Sequence, residues 1–204
     1  PRVTRETIFD LASITKVMAT TPLAMQMYEE NLLHLDAPVS AYIPEFSGGM
    51  KDSVTVRHLL THTSGMPSYM RFWEITGAEM NLVNRFWNLI RFWDVADYPQ
   101  EVMNIIIQSD LVYAPGDSSA YSDLGIILLG HILERIADKP LDQLVQERLF
   151  NPLGMTKTRY VPSREIWNMI PPTEYDSNYR YRQIRGEVHD ENTALLGGVA
   201  GHAG

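Results

Sequence analysis

The chain has 204 residues, 45% hydrophobic and 21% charged, which is enough for one sizeable core or two small ones and excludes a disordered tail. Its formal net charge of −8 and lack of any basic run argue against a nucleic-acid partner, whose binding rests on clustered Lys and Arg. With no cysteine, thiolate catalysis, Cys-ligated zinc and disulfides are excluded, and no apolar run approaches the roughly 20 residues of a membrane-spanning helix.

The chain opens at Pro1 without a recognisable signal peptide and stops in "GGVAGHAG", so both ends read as cuts in something longer. Leu11, Ile14, Val17, Met18, Leu23, Met27 and Leu32 recur at helical spacing. They predict a long helix over 11–33 with Ser13 in its first turn, kinked or broken near Thr20–Thr21 by Pro22. "HLDAPVSAYIPEF" is turn chemistry. The β-branched alternation Val54-Thr55-Val56 predicts a short strand, followed by a short helix around Arg57–Thr61 that ends at the turn glycine Gly65.

Residues 66–110 form an aromatic-rich, helix-permissive insertion in which Arg-Phe-Trp occurs at 71–73, 85–87 and 91–93. Either it packs its own Phe and Trp as a lid or subdomain, or it offers an aromatic wall to a substrate or partner. "YAPGDSSAYSDLG" is a Pro/Gly loop. A strongly apolar helix, "IILLGHILERIADK", and an amphipathic one, "PLDQLVQERLF", follow, with Pro140 where a first-turn proline is tolerated. From Pro171 onward the pattern predicts an extended loop returning toward "GEVHDENTALLGGVAGHAG". The chain should be mostly helical.

Two segments carry candidate chemistry. In Ser13-Ile14-Thr15-Lys16 the serine and lysine are three residues apart, so a helix brings their side chains to one face. The helix N-terminus adds free N–H groups and the positive end of its dipole, which suit an oxyanion. The apolar neighbours Leu11, Ala12, Ile14 and Val17 favour burial, and burial destabilises an ammonium in favour of a free amine that can act as a base. The alternative is a capping serine and a lysine in water. In Tyr121-Ser122-Asp123 a tyrosine beside a lysine can relay a proton, whereas the plainer reading is a loop tyrosine with Asp123 capping the next helix. His58 and His62, four apart, lack the glutamate and third ligand of a zinc site. His189-Asp190-Glu191 reads as a hydrogen-bonded loop. No metal, cofactor or phosphate-cradle motif is recognisable.

Together, "TIFDLASITKVMATT", "LDAPVSAYIPEF", "VTVRHLLTHTSGMP", "YAPGDSSAYSDLGIILLGHILERIADKPL", "FNPLGMTKT" and "GGVAGHAG" resemble, in order, the serine β-lactamase and penicillin-binding protein family, in its class C β-lactamase-like, esterase and D-alanyl-D-alanine peptidase branch. The resemblance implies a β-lactamase/transpeptidase-like α/β (α+β) fold. The chain would be its mostly helical portion, one domain over 1–204 containing the 66–110 insertion, without the flanking strands and the third motif. It implies Ser13 as acylated nucleophile, Lys16 as its activating partner and Tyr121 as the relay, with no cofactor. Asp123 would face the substrate where the family usually has Asn, and an acid there removes two N–H donors. "GHAG" is not assigned the third motif's role. The implied function is a serine hydrolase forming an acyl-enzyme on a β-lactam, a cell-wall D-Ala peptide or a small ester, outside the cytoplasm. The competing expectation is a non-catalytic helical module that binds a partner or peptidoglycan through the Arg-Phe-Trp region.

Overall fold

The computed structural model describes residues 2–78 and 98–204. Its helices are α1 (Thr21–Glu29), α2 (Val56–Leu60), α3 (Phe72–Ile75), α4 (Tyr98–Gln108), α5 (Asp123–Ala137), α6 (Leu141–Val145) and α7 (Glu191–Leu195). Among the described residues the one sheet is an antiparallel pair, β1 (Tyr175–Asp176) with β2 (Arg182–Gln183), in the register Tyr175↔Gln183 and Asp176↔Arg182.

Helix α5 is the centre. Leu124, Ile126, Ile127, Leu128, Leu129, Ile132 and Leu133 are all buried, so this helix is apolar nearly all round, as a helix must be when neighbours cover every face. α1, α2, α4 and α6 pack around it. Fully burying each such aliphatic side chain contributes about 1.5–3 kcal/mol, and this core fixes the start of α5, where Ser122 and Asp123 sit.

The predicted helix over 11–33 is three segments: a 3-10 turn at Ala12–Ile14, a π-helix at Lys16–Thr20, and α1. Pro22 explains the break in pattern. It has no N–H to donate, and immediately before it Thr21 N–H bonds Lys16 O in the wider π register. The proline then sits in the first turn of α1, where its missing donor costs nothing. Ser13 therefore lies on a tight 3-10 turn. Ala12 before it has φ +45°, a left-handed conformation costing a non-glycine residue about 1–2 kcal/mol. Asp10 Oδ1 accepts the Ala12 N–H at 2.7 Å, while Oδ2 accepts that of His189 at 2.6 Å.

Other expectations are corrected in detail. The predicted strand at 54–56 is an isolated bridge between Pro38 and Thr55, because Val56 already starts α2. Ser122, not Asp123, caps α5: its Oγ accepts the Gly125 N–H. In the first Arg-Phe-Trp, Phe72 and Trp73 are buried core residues, with Trp73 against the Tyr69 and Tyr179 rings. The copies at 85–87 and 91–93 lie outside the described residues. The C-terminal stretch is more ordered than an extended loop. Buried Asp176 takes the N–H groups of Asn178, Tyr179 and Arg180 as well as the Arg180 guanidinium, which reaches on to the carbonyls of Val188 and His189.

That folded-back segment ends against α5. A Cβ on Gly201 would lie 2.4 Å from Ile126 O, and one on Gly130 would lie 3.1 Å from Gly201 Cα. Two glycines thus permit a backbone-to-helix approach that no other residue allows. Gly201→Ala is expected to destabilise the protein by about 1–3 kcal/mol through overpacking, read as a lower urea midpoint with an unchanged m-value.

Candidate active site

Lys16 is buried, at 6% exposure, although Ile14 and Val17 beside it are exposed. The apolar neighbours expected to bury it therefore do not; chain from two distant places, around Tyr121–Asp123 and at His202, does. Three oxygens surround Nζ: Ser13 Oγ and His202 O, both hydrogen-bonded at 3.0 Å, and Asp123 Oδ1 at 2.8 Å, an ion pair without hydrogen-bond alignment. The Tyr121 ring lies beside it, its centroid 4.8 Å from Nζ. Tyr121 donates its hydroxyl to Ser13 Oγ at 3.0 Å. Ser13 and Tyr121 are exposed while Lys16 lies beneath them, the layering expected where a substrate meets a nucleophile above a shielded base.

All four residues singled out in the sequence are thus brought together. Asp123 makes its contact with Lys16, where the sequence reading assigned it to substrate. Its side chain is 17% exposed.

Tyr121 and Asp123 are held by the loop at 62–68. Ala120 N–H bonds His62 O at 3.0 Å, Ser122 N–H bonds His62 Nδ1 at 3.1 Å, Ser122 Oγ donates to Pro67 O at 2.7 Å, and Asp123 N–H bonds Ser68 O at 3.0 Å. The loop is itself pinned at Gly65, where φ is +79° and a Cβ would lie 2.1 Å from Tyr113 O. Because His62 Nδ1 accepts an N–H, the imidazole is neutral there. Burial and then the Lys16 charge push its pKa below the ordinary histidine value. The His62 ring packs on Tyr121, with centroids 4.7 Å apart. His58 is engaged separately, in a reciprocal capping box with Thr55. Among the described residues no group of three or more His, Asp or Glu could hold a metal ion.

The other wall comes from the C-terminal segment, which sequence reasoning left without a role. Thr20 Oγ1 donates to Gly201 O at 2.6 Å, one turn beyond the bond from Lys16 to His202 O. His202 Nε2 is 2.9 Å from Asp190 Oδ1 and 3.3 Å from Thr193 Oγ1. Asp190 also caps α7 by accepting the Thr193 N–H. The glycine-rich stretch was the available signal, since glycine permits such close approach. A polar pocket of about 350 Å³ opens one residue along the chain from Ser68 and from Asp190, lined by Tyr69, Arg71, Glu74, Asn178, Tyr181 and Glu191.

Burial opposes the charge on Asp190, but the hydrogen bond and charge of His202 and the Thr193 N–H outweigh it and hold its pKa at about 2, against an ordinary 3.8. A depressed carboxylate contributes stability above its unfolded pKa and loses it as pH falls through the folded value. Stability should therefore drop by about 2 kcal/mol between about pH 4 and pH 2, and Asp190→Asn should flatten that limb of a urea-unfolding profile.

A sequence profile of the Beta-lactamase family matches residues 1–204. An Escherichia coli K12 protein, provisionally named a D-alanyl-D-alanine carboxypeptidase, is 32% identical over 225 residues, which cover 100% of this chain and 48% of the relative. An N-acetylmuramyl-L-alanine amidase of Bacillus subtilis 168 is 31% identical over 217 residues, covering 97% and 46%. The chain spans about half the length of the curated relatives it matches. A beta-lactamase/D-alanine carboxypeptidase from Yersinia pestis, solved with citrate, aligns at TM-score 0.67 and 23% identity over 98% of this chain and 51% of its own. EstCE1, a hydrolase with promiscuous acyltransferase activity, aligns at TM-score 0.61 and 27% identity over 90% and 47%. With its mostly helical, strand-poor share of the β-lactamase/transpeptidase-like fold, the chain belongs to the Beta-lactamase family.

Proposed function

We propose that the protein is a serine hydrolase that forms an acyl-enzyme on Ser13. The observation that carries this reading is the convergence of Lys16 Nζ and Tyr121 OH on Ser13 Oγ, each at 3.0 Å. Ser13 Oγ attacks the carbonyl carbon of an amide or ester as its proton passes to the Lys16 amine. The resulting ammonium has three hydrogens and three oxygens to face: Ser13 Oγ, His202 O and Asp123 Oδ1. Collapse of the tetrahedral adduct expels the amine or alcohol, which takes its proton from Lys16 through the Tyr121 hydroxyl. Water then attacks the acyl carbonyl, giving up a proton by the same route, and Ser13 is regenerated. Ser13 N–H serves as one oxyanion donor, a role the family resemblance implies.

Asp123 acts in this scheme as the fixed negative charge beside Lys16. The names of the relatives favour a D-alanyl peptide or another cell-wall amide as substrate, with β-lactams and small esters as further acyl donors, and hence action outside the cytoplasm. The aromatic binding-module reading loses support because Phe72 and Trp73 are core residues.

The complete protein, treated with a fluorescent penicillin and with a fluorescent fluorophosphonate, should be labelled, and Ser13→Ala should not be. Equal labelling of Ser13→Ala overturns the assignment. Lys16→Ala is expected to slow labelling about 10²–10⁴-fold, the usual worth of a positioned acid–base group. Tyr121→Phe should lose less in the attack step than in leaving-group expulsion, so its deficit should be larger for an amide than for an activated ester, measured by initial hydrolysis rates.

A further inference from the structure

We propose that His202, clamped by Asp190, is a positioning residue for Lys16: its buried imidazole anchors the peptide whose carbonyl directs the lysine's hydrogens away from Ser13. This rests on the reading of Ser13 and Lys16 as nucleophile and base, and it adds a component that neither motif contains.

The argument starts from what a carbonyl can do. His202 O only accepts, so at 3.0 Å it requires one Lys16 N–H to point at it. Asp123 Oδ1, 2.8 Å away as an ion-pair partner without hydrogen-bond alignment, draws a second by its charge. A neutral amine has two hydrogens and one lone pair, and with both hydrogens drawn to these oxygens the lone pair is left for the Ser13 hydroxyl proton. The proton moves from Oγ to Nζ as the Oγ–C bond forms, and the carbonyl gains and loses nothing. If His202 O were displaced, Nζ would be free to turn a hydrogen toward Ser13, which cannot accept the serine's proton.

Only a stationary carbonyl has this effect, and the structure supplies several restraints. His202 is 1% exposed. Its Nε2 is held by Asp190 Oδ1 at 2.9 Å and lies 3.3 Å from Thr193 Oγ1, and Asp190 is fixed in turn by capping α7. The preceding peptide is held by Thr20 Oγ1 on Gly201 O, and Gly201 is pressed against Ile126 O. His202 Nδ1 is buried without a partner among the described residues, so the ring is kept for the single anchored nitrogen. Asp190 stays ionised well below neutral pH, which keeps it a strong acceptor for Nε2–H.

The test uses the complete protein and a fluorescent penicillin, with the acylation rate constant at saturating probe and the probe's apparent Kd measured separately, both per folded molecule by circular dichroism. Asp190→Ala and His202→Ala should lower the rate constant about 10–100-fold, as expected when a reacting group is misplaced by up to about 1 Å, with Kd changed less than about 2-fold. Asp190→Asn, which can still cap α7 and accept from Nε2–H, should return to within about 3-fold of wild type. Thr193→Val keeps the backbone cap and removes only the hydroxyl near Nε2, so it folds under the same restraints and should slow acylation about 2–5-fold. Wild-type rate constants in these variants, whatever their melting temperatures, overturn the proposal, as does an Asp190→Asn protein as slow as Asp190→Ala. Ser13→Ala runs in parallel: if it labels like wild type, the underlying catalytic reading has failed, whereas an unlabelled Ser13→Ala beside fast clamp variants means that only the clamp has failed.

Discussion

The structure depends on keeping one lysine nitrogen under cover. A buried ammonium without partners costs several kcal/mol, so the chain must bring oxygen to Nζ from somewhere. It does so from three directions: Ser13 on the same turn, Asp123 at the start of α5, and the His202 carbonyl at the C-terminal end of the described chain. Each oxygen is delivered by a different structural device. A 3-10 turn followed by a π segment presents Ser13 and Lys16, a capped core helix presents Asp123, and a pair of glycines lets Gly201–His202 come close enough. These three features converge on the same atom, and a change in any of them is felt there.

Local pattern carried the chemistry well and the geometry less well. The S-x-x-K spacing placed Ser13 and Lys16 on one face, and the loop Tyr121-Ser122-Asp123 was tied to them by the family resemblance, since its residues alone read equally as a capped loop. What periodicity could not show was how Lys16 is buried. The apolar neighbours Ile14 and Val17 suggested that they would cover it, yet they face solvent, because residues 12–20 run through a 3-10 turn and a π segment whose registers a plain 3.6-residue reading misses.

The site's second wall was hidden for a different reason. Lys16 reads the His202 backbone carbonyl, and a main-chain oxygen has no signature in a residue string. His62 was weighed as a metal ligand because of its spacing from His58, whereas its work is to accept one backbone N–H beneath Tyr121. Ser122 carries no distinguishing signal between Tyr121 and Asp123, and it caps α5. In each case the missing information is a hydrogen bond between a side chain and backbone, long-range for Lys16 and His62 and local for Ser122. For the aromatic triplet at 71–73 two readings stood open, packing of its own Phe and Trp or an exposed aromatic wall, and burial of Phe72 and Trp73 selects the first.

The bond from Lys16 to His202 spans 186 residues and that from Thr20 to Gly201 spans 181. Closing loops of that length carries an entropic cost that local helices do not meet, and the closing partner is among the last parts of this stretch to leave the ribosome. While the chain is still being made, Ser13 and Lys16 can already share a turn, but the carbonyl that bonds the lysine has not yet arrived. Enclosure of Lys16 is thereby tied to synthesis having run through the far end of the stretch: a nascent or truncated chain ending before Gly201 would display the serine without its wall.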